Sequence, residues 1–457
     1  MSCLHLVQRV LAPAAIAVGT VLAAQQPAAK PPVLVESARV LDVARGRYLA
    51  AAAVYIESGR IKSVTPEPPA SLPGGTVRIQ AAGSVLVPGL VDAHAWAAPT
   101  ADLEADDFYL LGLAHGVTGF RVINPRTGWG VAQRDRSISG EILAPRLWTS
   151  GRGINQGASP DRWLFDATDA TAAAGEVRRQ IDAKVNWIAG YESLPPDIYR
   201  AMVTAARKTG VRVSGRPGAS SMNDLAAAGV ASIETLAFPL KPRSIPAADA
   251  WPAVAARDLN TLQTRLVRGG VTLVPMMAAA RARAFPEEAA DDPALALLPA
   301  ARRAALKAAL GKLPAADVAK AKRAWTSQAA FLKRFVAARG RVAAGTGFEL
   351  AGYPVPGVGL HRELAALVRA GLSPIEAIRA ATSTAADLVG AKPTVVRFTP
   401  GTDANFIIVS GDPLKKIEDL AAVTHVIRAG EVLDPKVLLA RAQQALAPRG
   451  LKTPGST

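Results

Sequence analysis

Apolar and polar residues alternate along this chain in two different ways. Between residues 33 and 87, short apolar runs such as Ala53–Glu57 are separated by turn residues such as Ser58-Gly59, a pattern that predicts β-strands joined by tight turns. From Gly89 onwards, short apolar runs alternate with longer segments of helical spacing. The chain therefore changes from a β-rich part to a part that alternates strand and helix.

The alternating part predicts repeated strand–helix units. We place strands at 116–123, 185–191, 211–214 and 230–236, and helices at 173–183, 196–209 and 222–228. Such repeats favour a parallel sheet with helices on its outside. The strand-and-turn pattern returns from Val395, with strands at 405–409 and 423–433. The simplest architecture is an α/β barrel flanked by a small β-domain that both ends of the chain build together.

A basic helical segment interrupts these repeats. Residues 299–339 are rich in Ala, Lys and Arg, which are strong helix formers, and Pro314 is expected to divide them into two helices. Basic and apolar positions interleave there without a sustained heptad. We therefore interpret residues from about 285 to 339 as a helical excursion on the exterior.

The first residues have the pattern of an export signal. Residues 10–24 form an apolar run of about 15 residues, shorter than the roughly 20 that span a bilayer, and small residues precede Gln25. We predict a signal peptide at 1–24, a linker at 25–32, a periplasmic or extracellular location and no membrane span after cleavage; an uncleaved anchor is the alternative. Because Cys3 is the only cysteine, the mature chain would have neither disulfides nor a thiolate ligand.

The chain is strongly basic, with a formal net charge of +16 and an isoelectric point near 10.2. The basic residues are spread along the sequence, without an aromatic-interleaved basic motif or a recognition helix. We therefore expect a generally basic surface and no nucleic-acid partner, with electrostatic binding of an anionic polymer as the less favoured alternative.

A family resemblance begins at residues 87–96, which read Val-Pro-Gly-Leu-Val-Asp-Ala-His-Ala-Trp. This segment resembles the opening Pro-Gly-hydrophobic-hydrophobic-Asp-x-His-x-His motif of the amidohydrolase superfamily. Further segments in family order are 114–118, 145–151, 227–234, 344–346, 360–364, 371–377 and 410–414. Together they resemble the imidazolonepropionase-like and prolidase-like branch.

The resemblance implies a distorted (β/α)8 TIM barrel with its site at the carboxyl ends of the strands. The barrel would span 89–394, with a composite β-sandwich made from 33–88 and 395–440, and a C-terminal helix and tail at 441–457. The implied activity is hydrolysis of C–N bonds by a metal-activated water.

The metal ligands that the family would use are almost all replaced in this chain. Only the first histidine is kept, as His94; the other positions hold, in order, Trp96, Ala189, Arg216, Thr235 and Gly347. A zinc site uses three or more protein ligands. The remaining histidines lie at 5, 115, 361 and 425, outside the implied ligand set. We therefore expect no cofactor; the alternative is one zinc or another divalent ion held by His94 and carboxylates such as Asp92 or Glu349.

The same positions define a predicted ligand-binding mouth. Its lining would comprise His94, Trp96, Tyr191, Arg216 and Thr235. Arg216 could pair with an internal carboxylate such as Asp92 or hold an anionic ligand, and both options stay open. Asp92 is expected to pair with an arginine or with backbone amides. Strand alternation predicts that Glu234 points away from the barrel interior, and the candidate catalytic residues are His94 and Glu349.

Two functional hypotheses follow. The favoured one is an exported, metal-free pseudoenzyme that binds a small molecule or a protein partner at the barrel mouth, with homo-oligomers as a further option. The alternative is an active hydrolase of C–N bonds, in dipeptides or non-peptide substrates, with at most one metal ion.

Overall fold

The structure is a computed structural model, and it describes residues 30–49, 53–96, 105–157, 163–240, 247–347, 355–391 and 397–446. The predicted signal peptide, most of the linker, Glu349 and the C-terminal tail lie outside these ranges. Among the described residues, no helix is both long enough and apolar enough to cross a membrane.

The strands fall into a β-rich group at the two ends and a parallel group in the middle. They are β1 (Val33–Glu36), β2 (Arg39–Asp42), β3 (Arg47–Leu49), β4 (Ala53–Glu57), β5 (Arg60–Thr65), β6 (Val77–Gln80), β7 (Ser84–Pro88), β8 (Leu90–Ala95), β9 (Val117–Val122), β10 (Arg146–Thr149), β11 (Ile154–Asn155), β12 (Phe165–Asp166), β13 (Trp187–Gly190), β14 (Arg212–Gly215), β15 (Ser232–Glu234), β16 (Thr272–Val274), β17 (Arg341–Val342), β18 (Phe406–Ser410), β19 (Val423–Arg428) and β20 (Glu431–Leu433).

The helices lie mainly between the strands of the parallel group. They are α1 (Ala105–Ala114), α2 (Thr127–Ser139), α3 (Ala170–Asp182), α4 (Pro196–Ala206), α5 (Met222–Ala228), α6 (Ala247–Ala250), α7 (Ala256–Arg268), α8 (Met277–Ala284), α9 (Pro286–Ala290), α10 (Ala300–Gly311), α11 (Ala315–Ala337), α12 (Val358–Arg369), α13 (Pro374–Ala380), α14 (Ser383–Leu388) and α15 (Pro435–Leu446). The last helix begins before residue 441, where the sequence had placed its start, and Pro314 does separate α10 from α11.

Eight parallel strands close into a ring. Strands β8, β9 and β10 form one sheet, and β13 to β17 follow one another in a second sheet. A parallel bridge between Ser150 and Trp187 joins β10 to β13. The amide of Ala93 donates to the carbonyl of Ala344 at 2.8 Å, which joins the strand after β17 back to β8. The predicted α/β barrel is confirmed.

The two ends of the chain build a β-sandwich beside the barrel. One sheet has the order β5-β4-β1-β6 and the other β20-β19-β18-β7-β2-β3, so β18 from the C-terminal part pairs with β7 from the N-terminal part. Apolar side chains from both sheets, including Val35, Ile56 and Phe406, form one buried cluster. Burial of this shared face ties the two chain ends together.

Strand alternation decides which side chains enter the barrel. The outward residues Ile188, Val213 and Ile233 belong to the large core that includes the surrounding helices, whereas Trp187 belongs to a separate cluster with Val91 and residues of α14. At the amino end of β14, the Arg212 guanidinium donates to carbonyls of α14. Helix α14 therefore covers the amino ends of the strands, and the barrel opens at their carboxyl ends.

A pair of helical glycines tests the packing around the first barrel strands. A Cβ at Gly112 of α1 would lie 2.5 Å from Cζ of Phe120, whereas a Cβ at Gly175 of α3 would meet only the flexible end of Arg179 at 3.7 Å. Alanine gains up to about 1 kcal/mol over glycine in a helix, but overpacking costs about 1–3 kcal/mol. We expect Gly112→Ala to lower the free energy of unfolding and Gly175→Ala to raise it, as measured by urea denaturation. Stabilisation by both changes would show that α1 does not pack against β9 in this way.

Candidate functional site

A charged side chain lies in the middle of the barrel, where apolar packing would be expected. Arg121 of β9 is 0% exposed. Its Nη2 donates to Oε1 of Glu234 in a short contact, and its Nη1 donates to the Ser232 hydroxyl at 3.3 Å. The guanidinium carbon also lies 4.6 Å from the centre of the Trp187 ring. The barrel therefore holds a fixed positive charge that is paired on one side and stacked on the other.

Glu234 is the counter-charge and connects three strands. Oε2 accepts from Nδ1 of His94 at 2.7 Å, and Oε1 also accepts from the Ser232 hydroxyl at 2.6 Å. Burial alone would raise the pKa of Glu234, but Arg121, His94 and the hydrogen bonds together lower it to about 2. The carboxylate is therefore ionised at neutral pH.

The predicted outward orientation of Glu234 is wrong. Its carboxylate contacts His94 and Arg121, both of which come from strands on other sides of the ring. The predicted alternation of inward and outward side chains was displaced by one residue. In β15 the side chains of Ser232 and Glu234 point into the barrel, and Ile233 faces the helices. Thr235, which the prediction had placed inward, has left the strand with a φ of +70°.

His94 engages one of its two ring nitrogens inside the barrel. Nδ1 faces Glu234, and within the described ranges no hydrogen bond joins Nε2 to another residue, so Nε2 can form a hydrogen bond with a bound molecule. His94 lies within a register irregularity of the pairing between β8 and β9, which runs from Asp92 to Ala95. The residue is 5% exposed, so a ligand would have to enter the barrel mouth to reach it.

Buried hydrogen bonds to Asp92 hold the carboxyl end of β8 in place. Its carboxylate accepts from the amides of His94 at 3.0 Å and Thr346 at 3.1 Å, and from the Thr346 hydroxyl at 2.7 Å. The prediction that Asp92 pairs with backbone amides is confirmed. Burial raises its pKa even though these donors oppose the shift.

A second buried carboxyl lies near Asp92. Glu363 of α12 accepts from the amides of Met277 at 3.0 Å and Ala278 at 2.7 Å, at the start of α8. Burial raises the pKa of Glu363 to about 7, with Asp92 adding to the shift and the two amides opposing it. This group holds a proton over most of the acidic range.

The remaining residues of the predicted mouth are only partly brought together. Tyr191 is buried and packs beside Ala189 and Ile123, and Trp96 is half-buried directly after β8. Arg216 pairs with Glu192, with Nε and Oε2 3.2 Å apart, so its internal partner is not Asp92. The amide of Gly347 donates to the His94 carbonyl at 2.9 Å. Glu349 lies outside the described residues.

The donor set of this network does not fit a metal ion. Within the described ranges, no three His, Cys, Asp or Glu side chains are grouped so that they could hold one. His94 and Glu234 already bond each other, and the Arg121 guanidinium occupies the other oxygen of Glu234. A fixed cation at that oxygen repels a second cation.

Protonation of Glu234 should destabilise the fold in a defined pH window. Its pKa is about 2 in the folded state and near the ordinary 4.5 in the unfolded state, so its contribution is present above 4.5 and is lost as the pH falls towards 2. The difference corresponds to roughly 3 kcal/mol. We expect Glu234→Gln to remove this part of the pH dependence and to cost roughly 3–5 kcal/mol at pH 7, because Arg121 loses its counter-charge.

Urea denaturation from pH 6 down to pH 2.5 checks this expectation. The exposed residue Glu418 supplies the matched control Glu418→Gln. Glu363 affects stability in a different pH range. Between pH 4.5 and about 7 its carboxyl ionises in the unfolded state but stays protonated in the folded state, so the free energy of unfolding falls as the pH rises. A Glu234→Gln curve parallel to wild type below pH 4.5 would show that the carboxylate is not held between Arg121 and His94.

Comparisons with known proteins agree with this fold. Residues 357–433 match the Amidohydrolase family. A search of curated proteins finds no match. Among solved structures, a candidate prolidase from Bifidobacterium longum superposes with a TM-score of 0.70 at 22% identity, covering 91% of this chain and 99% of that one.

Two further structures extend the likeness. Bottromycin amidohydrolase superposes with a TM-score of 0.70 at 21% identity, covering 92% of this chain and 91% of that one. A Xaa-Pro dipeptidase with bound methionine in its active site gives 0.67 at 17% identity, covering 88% of this chain and 100% of that one. The predicted resemblance to the amidohydrolase superfamily is confirmed, and the chain has the fold of the prolidase-like amidohydrolases.

Proposed function

We propose that this protein is a metal-free pseudoenzyme of the amidohydrolase fold, which binds a small molecule or a protein partner at the barrel mouth. The observation that carries the proposal is the buried contact of Glu234 with Arg121 and His94. We also propose, from the apolar N-terminal segment, that the protein is exported and acts in the periplasm or outside the cell.

The electrostatics of the network support the first part of this proposal. The Arg121 guanidinium belongs to the chain, so its charge cannot diffuse away as a metal ion can. Removing one member of a buried ion pair leaves an uncompensated charge and costs roughly 3–5 kcal/mol. A metal ion that took Glu234 or His94 as a ligand would have to displace Arg121 or break the contact between His94 and Glu234. Either change would incur this free-energy cost.

The mouth residues support the binding part. Arg216 pairs with Glu192, whose side chain is 39% exposed, and such half-exposed pairs are worth about 0–1 kcal/mol. An incoming carboxylate could therefore replace Glu192 at low cost and gain a bidentate contact. Trp96, half-buried directly after β8, would add aromatic surface to such a site, and Nε2 of His94 could accept a hydrogen bond from the ligand.

Metal content should separate this proposal from a metallohydrolase. After mild dialysis, we expect far less than one equivalent of metal and no rise of the melting temperature on adding Zn²⁺. Arg121→Ala frees His94 and Glu234 to act as ligands, so Zn²⁺ should raise the melting temperature of that variant. The matched control is Arg212→Ala, because Arg212 also faces Trp187 but bonds carbonyls instead of a carboxylate.

Hydrolysis assays complete this test. Dipeptides, cyclic imides and lactones should not be turned over, with or without Zn²⁺ or Mn²⁺. Near-stoichiometric metal in the wild-type protein, together with turnover that His94→Ala abolishes, would overturn the metal-free proposal.

One observation favours the alternative of an active hydrolase of C–N bonds. A carboxylate bonded to one ring nitrogen of a histidine orients the other nitrogen as a general base, and His94 and Glu234 have this arrangement. Turnover that survives a chelator, and that both His94→Ala and Glu234→Gln reduce by about a hundredfold or more, would support this alternative.

A screen of small carboxylates should identify the ligand class. We expect at least one carboxylate to raise the melting temperature of the wild-type protein, and Arg216→Ala to remove most of that rise. Glu192→Gln should strengthen binding, because it removes the internal competitor for the guanidinium. A rise that is equal in wild type and Arg216→Ala would place the ligand elsewhere.

A further inference from the structure

We propose a second ligand site on this protein, outside the barrel, which binds a small aromatic carboxylate. It is a cleft of about 510 Å³ lined by side chains that include Arg126, Arg152, Trp163, Arg179 and Gln180. This volume lies within the range of small-molecule sites, about 300–1,000 Å³. The proposal does not rest on the function proposed for the barrel mouth.

The cleft is lined by residues that follow two barrel strands and by residues from the last turn of α3. Arg126 follows the carboxyl end of β9, and Arg152 follows the carboxyl end of β10. Arg179 and Gln180 come from α3, which leads into β13. Loops at this end of the barrel carry ligand sites more often than those at the other end. The three arginines therefore converge from separate chain segments.

The charges of the cleft are not balanced. Glu176 accepts from Nε of Arg152 at 3.0 Å and pairs with Nη2 of Arg179 at 2.8 Å. These contacts lower the pKa of Glu176 although its burial opposes the shift. Within the described part of the chain, no carboxylate pairs with Arg126. Three guanidinium groups and one carboxylate leave a net charge of +2, which favours an anionic occupant.

Aromatic rings hold the guanidinium planes in place. Arg126 stacks 3.7 Å from the centre of the Trp163 ring, and Arg152 lies 4.8 Å from the centre of the Phe165 ring, with Arg179 at 5.4 Å. A stacked guanidinium keeps its N–H donors at its edges, where they can form a bidentate contact with a carboxylate. The rings also offer apolar surface to the rest of the ligand.

Gln180 holds the neighbouring groups of the cleft in place. It is 1% exposed, and its Nε2 donates to the Arg152 carbonyl at 2.8 Å and to Glu176 at 3.0 Å. Its Oε1 is buried against Gly151, where an added Cβ would lie 2.3 Å away. The amide of Gln180 therefore fixes the positions of Arg152 and Glu176 relative to α3.

The amino end of helix α2 adds to the preference of the cleft for an anion. Helix α2 has 13 residues and begins at Thr127, which also lines the cleft. The first turn of α2 contains no acidic residue, and no side chain caps its amides. The positive end of the helix dipole therefore lies beside the three arginines and adds to their positive charge.

Calorimetric titration of the full mature protein tests the proposal. The probes are 4-hydroxybenzoate, its neutral counterpart 4-hydroxybenzamide, and inorganic phosphate. We expect 4-hydroxybenzoate to bind at least about tenfold more tightly than either of the others, and its affinity to fall as salt rises. Arg126→Gln and Trp163→Leu should each weaken its binding about tenfold.

Matched variants distinguish this cleft from other basic surface and from the mouth. Arg178→Gln removes an exposed arginine from the same helix α3 without changing the cleft, and it should leave 4-hydroxybenzoate binding unchanged. Arg126→Gln should still weaken binding about tenfold when it is combined with Arg216→Ala, which changes the barrel mouth. The proposal is overturned if Arg178→Gln weakens binding as much as Arg126→Gln, if phosphate or the amide binds as tightly, or if no probe binds.

Discussion

The barrel of this protein depends on one buried carboxylate that bonds to two hydrogen-bond donors from other strands. Glu234 sits between Arg121 and His94, and Ser232 completes its hydrogen bonds. An ionised carboxylate without such partners would cost several kcal/mol in a buried place. The strands that carry these residues must therefore keep their relative register, because a shift by one residue would turn any of the side chains to the opposite face. The network thus fixes the geometry of β8, β9 and β15 at the end where the barrel opens.

The supporting parts of the fold can be understood from the same constraint. Asp92 binds the amides of His94 and Thr346 and so joins the first and last strands of the ring just beneath the network. Trp187 covers one face of the Arg121 guanidinium and keeps water from it. Helix α14 covers the amino ends of the strands, and the β-sandwich binds the two chain ends beside the barrel. Each of these contacts limits motion of the strand ends that hold the charges.

Sequence patterns predicted the elements well and the charge network poorly. The predicted helix at 222–228 and strand at 53–57 have the observed bounds, because their caps and turn residues are local signals. The apolar segment 33–42 forms two strands, β1 and β2, because Ser37 between them adopts a φ of +61°. Glu234 was assigned to the wrong face because alternation was counted from Thr235, which has already left the strand. Arg121 was missed although it is a charged residue inside an otherwise apolar predicted strand; that contrast was the available signal, and only the tertiary structure names its partner.

A guanidinium beside a buried carboxylate differs in its chemistry from a metal ion in the same place. Both give the carboxylate a positive neighbour that balances its charge. A guanidinium, however, only donates hydrogen bonds, and it cannot coordinate a water molecule or bring its pKa to about 7 as zinc does. Because Arg121 is part of β9, its charge is fixed relative to Glu234 and cannot exchange with solution. Under the metal-free proposal, the specificity of the site would be set by the residues around the mouth and not by an exchangeable ion.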